Sequence, residues 1–108
     1  MKAWDIWTGD IYGPHPVVLV SCQARIDAKP EVVVLKCTTM QPAIARAAKE
    51  NETVLDEADG LNWKTLCRCD LLFTLPKASL THRRGSVTSE RQREIARKII
   101  QGLAIVGL

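Results

Sequence analysis

The chain is expected to fold as an α+β protein. Five or six short strands form a small, mostly antiparallel barrel or curled sheet, and one amphipathic helix packs on them at the C-terminus. Three features of the 108 residues point there. First, His15-Pro16-Val17-Val18-Leu19-Val20-Ser21 and Glu31-Val32-Val33-Val34-Leu35-Lys36-Cys37 are almost continuously apolar and rich in valine, as in strands buried on both faces. Second, Gly13-Pro14, Pro16, Pro30 and Pro76 punctuate these runs and hold their ends in turn or extended conformations. Third, Ile95, Ile99, Ile100 and Leu103 recur on one helical face, opposite Arg93, Glu94, Arg97 and Lys98.

The elements follow in order. Residues 3–8 read as a first strand with Trp4 and Ile6 on one side, and 9–15 as a loop carrying Gly9-Asp10 and Gly13-Pro14. Residues 16–22 form a second strand. Residues 23–30 are a polar connection with room for a helical turn, and 31–37 form a third strand. Thr38 and Thr39 fall at its end, where Pro42 stops pairing. Residues 43–50 have strong helix propensity but are too short to be stable undocked, so a helical turn or a loop fits equally. Residues 53–57 give a short strand, Asp59-Gly60 a turn, and Trp63 an anchor expected to be buried. Residues 66–75 make a long strand closed by Pro76, residues 77–80 a turn, and residues 82–87 a short strand or bend. Thr88 or Ser89 then caps the last helix. With Ser89 as the cap, Gln92 stands at the capping-box position.

A chain of this length suits a single domain over residues 1–108, burying roughly two-thirds of its unfolded surface. No apolar stretch approaches the ~20 residues of a membrane span. Met1-Lys2 leads into Ala-Trp-Asp rather than an apolar signal core, so a cytoplasmic protein without membrane association is expected. Cys22, Cys37, Cys67 and Cys69 fit core thiols in a reducing compartment. A zinc site from Cys22, Cys67, Cys69 and His15 is conceivable, but Cys67-Arg68-Cys69 has one intervening residue rather than the usual two to four, so no metal is expected. Charge is asymmetric: residues 1–63 carry six Lys/Arg against nine Asp/Glu, and residues 64–108 nine against three. The basic C-terminal part suits a polyanion or an acidic partner, or simply a solvated helix face.

Phosphate-binding glycine loops, dinucleotide fingerprints, zinc-protease patterns and serine nucleophile elbows are absent from the sequence. His15 is the one titratable side chain at the mouth of a buried strand, where a rigid scaffold commonly carries a functional group. Trp4, Trp7 and Trp63 suit core packing better than base stacking for at least two of them. Asp70, inside a strand, is expected to be structural and to accept backbone hydrogen bonds.

Several segments together resemble the MazF/PemK family of toxin endoribonucleases from type II toxin–antitoxin systems. Asp5-Ile6-Trp7 resembles the family's opening strand, and His15-Pro16-Val17-Val18-Leu19-Val20-Ser21 its Arg-Pro strand. Val32 to Thr39 resembles the strand ending in Thr or Ser. Cys69-Asp70-Leu71-Leu72-Phe73-Thr74 with the following Pro76-Lys77-Ala78-Ser79-Leu80 resembles the Cys-Asp-Gln-Ile-Arg-Thr strand and turn. Val87 through Ile100 resembles the capped final helix. Three departures stand out: His15 replaces the family's arginine, Leu71 and Phe73 replace its Gln and Arg, and the first interstrand loop is shorter.

The resemblance implies an SH3-like antiparallel barrel with a C-terminal helix, of the CcdB/MazF-like kind. It further implies a metal- and cofactor-independent endoribonuclease that cleaves single-stranded RNA by attack of the ribose 2′-OH on its own phosphate. A homodimer, a small acidic antitoxin and DNA binding together with that antitoxin go with it. Such a reaction needs a proton acceptor, a proton donor and donors for the phosphorane charge. An imidazole has both protonation forms available near neutral pH, so His15 suits either proton-transfer role. Thr38 or Thr39 can donate to a phosphate oxygen, and Lys36 adds charge. Arg83 and Arg84 can hold the RNA backbone. Two alternatives remain open: a non-catalytic binding module of the same fold for nucleic acid or protein, and a toxin acting on a protein target.

Overall fold

The computed structural model describes residues 1–40 and 46–104. Six strands form one antiparallel sheet: β1 (Asp5–Asp10), β2 (Pro14–Leu19), β3 (Glu31–Thr39), β4 (Glu52–Leu55), β5 (Thr65–Pro76) and β6 (Thr81–Ser86). Their order across the sheet is β4-β5-β3-β2-β1-β6. Helix α1 (Gln23–Ala28) links β2 to β3, and α2 (Ser89–Gly102) ends the fold. No described helix is long and apolar enough to cross a membrane. Of the stretch expected as helical or loop, residues 43–45 lie outside the described residues, and 46–49 have no helical structure.

Alternation along the valine-rich strands produces two cores, one on each face of the sheet. Ile6, Val18, Leu35, Cys37, Leu55, Cys67 and Cys69 point to one face, where Ile95 of α2 meets them. Val17, Leu19, Val32 and Val34 point to the other, where Ile26 of α1 and Leu80 close over them. Burying a side chain such as Ile95 stabilises by about 1.5–3 kcal/mol, so α2 is held by its apolar stripe and not by propensity.

Two irregularities curl the sheet into a half-barrel. On β3, Leu35 pairs with Leu72 and Cys37 with Cys67, so the single Lys36 is set against residues 68–71 of β5. This wide bulge lets β5 serve β4 with one half and the start of β3 with the other. On β6, the register slips opposite Trp7, where His82 takes φ 47°. The two sheet edges then approach without a shared ladder. Gly60 and Gly85 meet backbone to backbone. Arg91 of α2 fastens the seam: its guanidinium bonds both oxygens of Asp56, at 2.8 and 3.1 Å, and also pairs with buried Asp59.

Two local expectations, for Trp63 and Asp70, are corrected, and one choice is resolved. Of the two cap candidates it is Thr88 that caps α2, accepting the Arg91 N–H at 3.5 Å, while Gln92 Nε2 donates to the Val87 carbonyl. Asp59 accepts the Thr88 N–H and so fixes the start of the helix one residue earlier. Trp63 is 56% exposed rather than a buried anchor, because Leu61 fills the core position of that turn. Asp70 accepts no backbone hydrogen bond among the described residues, and its Oδ1 is buried without a hydrogen-bond partner. The β5 bulge carries it under Gly102 of α2, away from the ladder. Trp4 and Trp7 pack against the two cores as expected.

Candidate functional site

Among the described residues, the second face is roofed at one end. Ile26 and Leu80 cover the Leu19 and Val32 end, while past Val17 and Val34 the side chains emerge as His15, Lys36 and Thr38. Their placement follows from register. Val17 faces Lys36 across the β2–β3 ladder. His15 lies two residues before Val17 and Thr38 two after Lys36, so alternation puts all of them on one face. His15 is half-buried opposite Gly9 of β1, whose missing side chain leaves room for Val17 and Leu75 beneath. Lys36 is half-buried and Thr38 exposed. Thr39, paired with Thr65, falls on the opposite face with Cys37, so of the two threonines Thr38 shares the side of His15.

Thr38 lines a cavity of about 220 Å³ together with Arg46, Lys49, Asn51, Glu52 and Arg68. Glu52 is its buried floor. Arg46 holds that carboxylate with two bonds of 2.7 and 2.8 Å, and the Lys49 N–H donates a third of 2.9 Å. The hydrogen-bonded Arg46 guanidinium, helped by the Lys49 N–H, pulls the Glu52 carboxyl down to about 2 against the effect of its burial. Glu52 therefore stays ionised and spends its charge on Arg46. The Arg68 side chain is 44% exposed, and its one ion pair among the described residues runs from Nε to Asp70 Oδ1 at 3.7 Å.

Arg83 and Arg84 are not brought to this cavity. They lie on β6, at the far edge of the sheet. Arg83 Nε sits 3.2 Å from Oδ1 of buried Asp5, whose Oδ2 accepts from the Lys2 N–H at 2.9 Å and the Trp7 indole at 3.4 Å. Asp5 thus ties the chain start and β1 to the edge strand β6. The cysteines do not converge with His15 either: Cys37, Cys67 and Cys69 belong to the helix-side core, and Cys22 is exposed. Among the described residues no three His, Cys, Asp or Glu side chains are grouped to hold a metal.

The sequence reading missed Arg46, Lys49, Glu52 and Arg68. Arg68 had a signal: between two inward cysteines, strand alternation must point it outward. Arg46 and Glu52 had none, since their contact joins an irregular segment to an edge strand.

An array of imidazole, ammonium, hydroxyl and guanidinium groups on one open face can bind a phosphodiester and move protons beside it. Solved structures share the fold. An endoribonuclease in complex with its cognate antitoxin from a mycobacterial species superposes with a TM-score of 0.84 at 23% identity, covering 100% of this chain and 99% of that one. The Mycobacterium tuberculosis toxin MazF-mt6 gives 0.82 at 19% identity, covering 95% and 99%. A MazE–MazF structure from Deinococcus radiodurans gives 0.76 at 14% identity, covering 98% and 97%. No curated protein sequence matches at a significant level. Residues 2–103, nearly the whole chain, match the model of the PemK-like, MazF-like toxins of type II toxin–antitoxin systems, and the chain belongs to that family.

Proposed function

We propose that this toxin is a metal-independent endoribonuclease that cleaves single-stranded RNA in the cytoplasm. The observation that carries this reading is that register and alternation put His15 and Thr38 on one face of the sheet in a chain of this family. The ribose 2′ oxygen forms a bond to the adjacent phosphorus as the bond from phosphorus to the 5′ oxygen breaks. The products are a 2′,3′-cyclic phosphate and a free 5′-hydroxyl. His15 takes the 2′-OH proton or delivers one to the leaving oxygen, Thr38 donates to a non-bridging oxygen, and Lys36 offsets the developing charge. Arg83 and Arg84 meet the RNA backbone farther away.

The protein acts as a homodimer and is neutralised by a small antitoxin. An acidic, disordered antitoxin segment folding onto the cationic face would cover the site. With the antitoxin it binds DNA. An antitoxin partner is supported by two of the similar structures, which hold a toxin with its antitoxin.

The test is incubation of purified protein with single-stranded RNA in chelator. Cyclic-phosphate ends are expected, with turnover falling about 10²–10⁴-fold in His15→Ala, the usual contribution of a proton-transfer group. Intact RNA at high protein excess overturns the reading. A second reading draws on Leu71, an apolar side chain 41% exposed in the bulge. In that reading the same face binds without cleaving, and intact but retained RNA is its signature.

A further inference from the structure

We propose that Arg68 and Thr38 together form a binding site for a phosphate of the RNA backbone, with Arg68 supplying the guanidinium that position 15 lacks. The inference rests on the ribonuclease reading and names a residue within its site. The resemblance sets an arginine where this chain has His15. An imidazole moves protons, but it offers no fork of N–H donors to a tetrahedral anion. Lys36 brings a point charge to that face, and a guanidinium would add the fork.

Two arginines line the cavity beside Thr38. Arg46 is committed, because both its terminal nitrogens bond the Glu52 carboxylate. Arg68 is not. It stands opposite Glu52 in the β4–β5 ladder, two residues along β5 from Leu66, which pairs with Thr38. Strand alternation places it on the Thr38 side, with Cys67 and Cys69 pointing the other way into the core. Its Nε leans toward Asp70 Oδ1, at 3.7 Å, and its terminal nitrogens have no protein partner among the described residues. With only Nε turned toward Asp70, the outer edge of the guanidinium remains a fork for two phosphate oxygens. The Thr38 hydroxyl, likewise without a protein partner among the described residues, supplies a further donor.

The test measures binding of a single-stranded 2′-O-methyl oligoribonucleotide, which cannot cyclise, over a range of salt concentrations. Each phosphate neutralised on a single strand adds about 0.7 to the slope of log affinity against log salt. Arg68→Gln is expected to lower that slope by about 0.7 and to cut RNA turnover at least tenfold. Arg97→Gln, an exposed change on α2, is expected to leave both unaltered. Arg68→Lys keeps the charge and should keep the slope. An Arg68→Gln slope equal to wild type overturns the site, and so does a wild-type protein that fails to bind the oligonucleotide. Loss of slope in both Arg68 variants with a lowered melting temperature indicates damage and also overturns it. If the oligonucleotide binds with an Arg68-dependent slope while unmodified RNA stays intact, the phosphate site stands and the ribonuclease reading fails. If RNA is cleaved and Arg68→Gln changes neither slope nor rate, the reverse holds.

Discussion

Asp59 presses its carbonyl oxygen into the space that a β-carbon at Gly85 would fill. This contact shuts the half-barrel where no ladder joins its edges. Backbone stands on both sides, so neither neighbour can swing away. Gly85→Ala should therefore destabilise the fold by about 2–3 kcal/mol, the scale of an overpacked core. Urea denaturation measures it, and a midpoint equal to wild type would mean that the seam is loose.

Arg91 guards the same seam from the helix. Asp59 is fully buried, and its oxygens also accept the N–H groups of Asp56 and Thr88. Removing the guanidinium leaves a buried carboxylate without its cation. Arg91→Ala is expected to cost about 3–5 kcal/mol. Arg91→Lys should recover only part, because one ammonium cannot serve Asp56 and Asp59 as a fork does. Calorimetric melting of the two variants separates these outcomes, and an Arg91→Lys variant as stable as wild type would reject the bidentate role.

Acid should loosen the cavity floor. The Glu52 carboxyl is depressed from 4.5 to about 2 in the folded chain, first by its bonds to Arg46. Its contribution is complete above about pH 4.5 and disappears as the pH falls toward 2. Asp56 is lowered in the same sense, chiefly by Arg91. Because Arg46 is half-exposed and screened, the Glu52 contribution is on the order of 2 kcal/mol rather than the full linkage value. Stability measured across this range should fall less steeply in Glu52→Gln. Parallel curves for the variant and wild type would show that the pair is not coupled to folding.

The thiols should divide one against three. Cys22 is exposed, whereas Cys37, Cys67 and Cys69 are buried. Contact with Cys37 and burial raise the Cys67 thiol, and contact with Cys67 and burial raise that of Cys69. An Ellman titration should count one reactive thiol per native chain and four after unfolding in guanidinium. More than one in the native protein would mean that the helix-side core opens.

Much of this molecule was written locally. Valine runs, flanking prolines and the isoleucine stripe require strands and a final helix, because apolar periodicity and missing N–H groups act over a few residues. The same local logic located His15 at a strand mouth and Thr38 at a strand end. Choosing Thr38 over Thr39 took the β2–β3 register, which depends on residues 15 to 19 positions apart in the chain finding each other. The β5 bulge, the pairing of Arg46 with Glu52 and the tethering of Arg83 to Asp5 likewise arise only once distant segments meet. Residue type and spacing thus determined which chemical groups the chain owns and which local shapes it takes. Long-range packing alone decided which of those groups face the same solvent, since a one-residue change of register turns every side chain of a strand to the other side.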